Sequence, residues 1–77
     1  MIIDKGFITK QAAAADKFVA YAMEHGELTR READKALAYY LGHRILRLNP
    51  NDGEFVVSEP TFLDRELLRR AAGVVKP

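Results

Sequence analysis

The sequence predicts a small α+β domain in the order helix, helix, β-hairpin, helix. Three observations carry this. Apolar residues recur at helical spacing over two segments before Gly42, and the second opens on a capping box at Thr29. From Arg44 the spacing drops to two, on both sides of the cluster Asn49-Pro50-Asn51-Asp52-Gly53. Beyond Pro60 the helical spacing returns.

Taken in order, Ile2-Ile3, Asp4-Lys5-Gly6 and Phe7-Ile8 read as an extended arm over 1–8, or a short edge strand with a turn at Gly6. Thr9 is the expected N-cap of a first helix that runs to about His25. Ala14, Ala15, Phe18, Ala22 and His25 form its apolar stripe, widened by Val19 and Met23, and the alanines let a second helix come close. Gly26 is expected to end it in a left-handed conformation. Thr29-x-x-Glu32 starts the second helix, with Leu28 and Ala33 at the staple positions. At 100° per residue, Ala33, Ala36, Leu37, Tyr40 and Leu41 share one face, and Arg31, Lys35, Ala38, Tyr39 and Gly42 share the other. Arg44–Leu48 and Glu54–Ser58 read as hairpin strands, with Asp52-Gly53 suited to positive φ and Pro60 closing the second. A last helix starts near Thr61 or Asp64, carries Phe62, Leu63, Leu67, Leu68 and Ala71 on its stripe, and stops at Gly73. Residues 74–77 read as a frayed tail. Phe18, Leu37 and Leu41 are the expected anchors of the core.

The length of 77 residues gives one domain, 1–77, and a thin core. Without cysteine there is neither a disulfide nor a thiolate metal site. A hydrophobic fraction of 48% with 30% charged residues fits a globular chain. The N-terminal apolar run is broken at once by Asp4 and Lys5, and nothing approaches a membrane span, so no membrane partner and a cytoplasmic location are expected. Twelve basic against eleven acidic residues leave +1, too little for bulk charge alone to coat nucleic acid or an anionic membrane. The arginines are nevertheless segregated: all seven lie from Arg30 onward. Their planar forks suit phosphate and carboxylate contacts.

A helix pair followed by a tight hairpin, over roughly residues 18 to 57, resembles a reduced winged-helix module. The resemblance implies helix-turn-helix-like binding, with a helix in the DNA major groove and the hairpin wing on the backbone. That family has three helices before the wing; here Thr29 to Gly42 reads as one uninterrupted helix after a single predecessor.

Catalytic chemistry finds no foothold. His25 and His43 each stand at a helix end, where imidazole suits the macrodipole. The sequence holds no His-x-x-x-His pair, no Gly-x-Ser-x-Gly elbow and no glycine-rich phosphate loop. No enzymatic activity, cofactor or metal is expected. For nucleic acid, Arg31, Lys35 and Tyr39 interleave basic and aromatic side chains on the outer helix face. Arg44 and Arg47 stand where the wing begins, and Asn51, with Asn49, at its tip. The bland account pairs Lys35 with Glu32 or Asp34 and lays Tyr39 over a flank of the core. Tyr39 and Tyr40 are adjacent, so at least one ring must be partly exposed, and Tyr and Arg recur at protein interfaces. The expected function is a non-catalytic DNA-binding module in a regulatory or accessory role. The alternative is a small protein-interaction module, an adaptor or steric inhibitor; with no acidic surplus it does not mimic DNA. A homodimer through the hairpin edge is a further expectation.

Overall fold

The structure, a computed structural model, describes the backbone of residues 5–74 and side chains from Lys10. Among these residues the elements are α1 (Lys5–His25), α2 (Arg30–Gly42), β1 (Leu46–Leu48), β2 (Phe55–Val57), a 3-10 turn (Pro60–Leu63) and α3 (Arg65–Ala71). The predicted α+β order of three helices and one antiparallel hairpin is therefore found. Of the predicted extended arm, residues 5–8 are helical, while 1–4 lie outside the described residues. Thr9 is accordingly inside α1 and not at its start. Once the alanine-rich segment has nucleated, each further residue gains one hydrogen bond at low cost, so the helix extends backward through Gly6.

The three largest fully buried side chains come one from each helix: Phe18, Tyr40 and Leu68. Phe18 is the hub, its ring 5.3 Å from Tyr40 and 5.5 Å edge-on from Phe55 of β2. Around it Ala14, Ala22, Ala33, Ala36 and Ala72 are buried, and their small size lets the helices close on one another. Tyr40 donates its hydroxyl to the Phe62 carbonyl, and Tyr21 donates to Leu63 O at 3.3 Å. The two phenols thereby hold the 3-10 turn to α1 and α2.

Six stripe assignments are corrected. His25 is exposed and stacks on Tyr21 at 4.1 Å instead of entering the core. Leu41 is 40% exposed and Met23 38%, because at 100° per residue both lie at the flank of their stripes. Leu37 is only partly buried against the core. Phe62 and Leu63 belong to the 3-10 turn that Pro60 opens, so Pro60 starts an element and does not close β2.

All three helices end in one motif. Leu28 N–H reaches Met23 O at 3.1 Å, Ile45 N–H reaches Tyr40 O at 2.9 Å, and Val74 N–H reaches Arg69 O at 3.0 Å. Each is the outer bond of a Schellman cap, whose pivotal residue is left-handed. These residues are Glu27 (φ +53°), Arg44 (φ +58°) and Gly73 (φ +76°). The predicted left-handed residue, Gly26, is thus displaced by one to Glu27. Gly26 is required for a different reason: a Cβ there would stand 2.6 Å from Ala22 O and 3.0 Å from Leu28 Cδ1. Arg44 belongs to the α2 cap, so β1 starts at Leu46, two residues later than predicted. Val74 is bonded into the α3 cap and packs on the core; the rest of the predicted tail, 75–77, lies outside the described residues.

The hairpin pairs Leu46 with Val57, Arg47 with Val56 and Leu48 with Phe55. Its loop is built by side chains: Asn49 Oδ1 accepts from Asn51 N–H and Asp52 Oδ1 from Glu54 N–H, both at 2.9 Å. Gly53 takes φ +72°, as the Asp-Gly pair predicts. The tip lies on α1: Lys10 Nζ donates to Asn51 O at 2.9 Å, and Lys17 pairs with Glu54. A wing of the resembled family projects to reach DNA; this hairpin is folded against the first helix. No helix among the described residues is long and apolar enough to cross a membrane.

Candidate functional site

The outer face of α2 is set by its buried one. Ala33, Ala36 and Tyr40 face the core, so Arg31, Lys35, Ala38 and Gly42 point directly away from it at 100° per residue. The capping box fixes where the helix starts. Thr29 Oγ1 accepts from Glu32 N–H at 3.2 Å and Glu32 Oε1 accepts from Thr29 N–H at 2.9 Å. That second bond holds the Glu32 carboxyl below its usual pKa. Glu32 is thereby engaged with the helix start, and Asp34 is engaged by Arg30 at 3.4 Å. Neither acid takes Lys35.

This division runs through the whole set of described basic side chains. Lys10 and Lys17 hold the hairpin tip. Arg65 pairs with Glu27, pulling that carboxyl below its ordinary pKa. Arg69 donates to Gly26 O at 2.8 Å and Glu27 O at 3.1 Å, and Arg70 lies 3.6 Å from Glu66. The side chains of Arg31, Lys35, Arg44 and Arg47 form no ion pair or hydrogen bond with another described residue, and all four residues are exposed. They are the four cations that the sequence singles out.

The six predicted site residues do not form one cluster. Arg31 and Lys35 share the outer face of α2. Arg44 and Arg47 meet beyond its C-terminal end, where they flank a cleft of about 440 Å³ shared with Gln11, Leu41 and Leu48. Tyr39 is 47% exposed and turns toward a separate groove of about 350 Å³, walled by Tyr40, Phe62, Leu67 and Arg70. Its ring packs on His43 at 4.2 Å, as Tyr21 packs on His25. Asn51 is exposed at the hairpin tip, but its carbonyl is held by Lys10. Gln11 and the Tyr39 groove were not legible in the sequence, since both depend on how separate elements pack. The Tyr-x-x-x-His spacing at both helix ends was a signal that could have been read.

Among the described residues no group of three His, Asp or Glu side chains is arranged to hold a metal ion. The fold is thus an α+β helix-helix-hairpin-helix unit with a basic face whose side chains have no partner among the described residues. In comparisons with protein-family models, curated proteins and solved structures, nothing matches this chain.

Proposed function

We propose that the chain is a non-catalytic DNA-binding module that presents the outer face of α2, with Arg31 and Lys35, to the duplex and sets Arg44 and Arg47 on the backbone. One observation carries the reading. These four cations have no side-chain partner among the described residues, while every other basic side chain described from Lys10 on serves the fold. Ala38 and Gly42, lying between them, keep the helix surface low enough for a groove. Asn51 and Tyr39 play secondary parts at the margins. We take the compartment to be the cytoplasm and the role to be regulatory or accessory. The module needs no cofactor. A twofold-symmetric site would engage a homodimer.

The test is affinity for duplex DNA as a function of salt. If all four cations meet phosphates, affinity falls by about two orders of magnitude between roughly 50 and 200 mM salt. Changing Arg31 and Lys35 together to alanine lowers the salt slope by about one unit for each phosphate no longer neutralised. The same variant shifts stability by no more than about 0.5 kcal/mol, since neither residue packs in the core. Unchanged DNA binding by this variant removes the α2 face from the reading.

A second reading has its own observation. The Tyr39 groove is apolar, aromatic and rimmed by Arg70, which is the composition of a protein-binding hot spot. If the parent ignores DNA even at low salt, the protein-interaction module takes precedence. Tyr39→Ala then weakens capture of the partner.

A further inference from the structure

We propose that the cleft between the N-terminal half of α1 and β1 is a phosphate-binding site, with Arg44 and Arg47 as its paired anion ligands and Gln11 as a neutral donor. This rests on the DNA reading above and names the part of the backbone it takes: a phosphodiester group, held without regard to base sequence.

The left-handed position of a Schellman cap favours glycine, because a Cβ there crowds the following carbonyl. Glycine fills it at the end of α3, while α1 and α2 place Glu27 and Arg44 there. Glu27 has a reason inside the fold: its carboxylate pairs with Arg65 and its carbonyl accepts from Arg69. Arg44 has no such side-chain partner among the described residues. Two residues earlier the chain places Gly42 at a right-handed helical position where an added Cβ meets nothing within 4 Å. Glycine therefore stands where the backbone does not need it, and arginine where glycine would be relaxed. Among the described residues nothing compensates this strain, and strain of that kind clusters at functional sites.

The placement says what the function is. Arg44 and Arg47 both line two clefts, of about 440 Å³ and about 430 Å³. Both volumes are in the range of ligand clefts. Gln11, Asn49 and Ser58 supply neutral polar groups around them, and among the described residues no acidic side chain lines either cleft. Two guanidinium groups with neutral donors, and with no competing carboxylate among the described residues, select a phosphate, whose several oxygens can take both forks, over a cation or a neutral ligand.

Arg44→Gly is the decisive variant, because it removes the guanidinium while relaxing the backbone. Arg47→Gln removes the second charge without touching the cap. Inorganic pyrophosphate is titrated while side-chain NMR resonances of Arg44, Arg47 and Gln11 are followed, and duplex DNA affinity is measured in parallel. The expected result is saturable shifts at all three side chains in the parent, lost in both variants. Arg44→Gly melts no lower than the parent, and each variant lowers DNA affinity several-fold for every duplex sequence and the salt slope by about one unit. Absence of saturable shifts, or pyrophosphate binding by Arg44→Gly equal to the parent, overturns the site. If the parent binds DNA and both variants bind it equally well, the phosphate site falls and the DNA reading stands. If pyrophosphate binds as expected and DNA does not bind at low salt, the site stands, the DNA reading falls, and the natural source is a free phosphorylated molecule.

Discussion

Burial pushes the Tyr40 phenol from 10.0 up to about 12, with Tyr39, Asp64 and Tyr21 adding smaller electrostatic contributions. The folded state therefore favours the neutral phenol. Its contribution is complete below pH 10.0, and declines as pH rises toward about 12, where only the unfolded chain has released the proton. Tyr40→Phe keeps the ring packed on Phe18 but strips the Phe62 carbonyl of its donor. It costs about 1–2 kcal/mol at neutral pH, read from denaturant midpoints, and its alkaline decline is shallower than the parent's. At Gly26 the constraint is space. Gly26→Ala forces its Cβ onto the Ala22 carbonyl and costs about 1–3 kcal/mol, measured as a lower urea midpoint at unchanged m-value.

Helix ends concentrate the electrostatics at the scale of elements. Thr29→Ala removes the acceptor for Glu32 N–H and destabilises the protein by about 1 kcal/mol, visible as a lower melting temperature. Two carboxyls sit below their ordinary value of 4.5 in the folded state: Glu27, bonded by Arg65, and Glu32, bonded by the Thr29 backbone. A depressed folded pKa means the stabilisation is present above 4.5 and is lost as pH falls through the folded values. The melting temperature is expected to hold level from pH 7 down to about pH 5 and then drop. The double variant Glu27→Gln, Glu32→Gln melts lower at neutral pH and loses less on acidification; a drop as steep as the parent's would assign the acid limb to other carboxyls.

For the whole molecule, 77 residues carry a total stability of about 4–12 kcal/mol. Phe18 joins α1, α2 and β2, so Phe18→Ala removes about 3–5 kcal/mol, a large fraction of that total. Its circular dichroism melt should shift steeply downward or vanish. Leu37 is only partly buried, which brings Leu37→Ala to about 1–2 kcal/mol, near or below the lower end of the range for a full core site. A loss for Leu37→Ala equal to that of Phe18→Ala would mean the α2 stripe is rotated from its observed facing.

Local chemistry determined much of this protein by sequence alone. The capping box at Thr29, the Asp-Gly turn, Gly73 at the end of α3 and the α2 face of Ala33, Ala36 and Tyr40 each depend on residues within a few positions of one another, so spacing suffices to read them. The cations Arg31, Lys35, Arg44 and Arg47 were legible as candidates for the same reason. Tertiary structure decided the rest. Only packing shows that these cations lack partners among the described residues, because the partners of the others, Glu54 for Lys17 and Glu27 for Arg65, lie 37 and 38 residues away. Only packing folds the hairpin tip onto α1, brings Gln11 beside Arg44, and separates Tyr39 from the basic face. The left-handed residues fell at Glu27 and Arg44 because neighbouring elements set where each helix stops, Arg65 and Arg69 by gripping the end of α1 and β1 by pairing from Leu46. Periodicity within one segment carries no information about such long-range contacts.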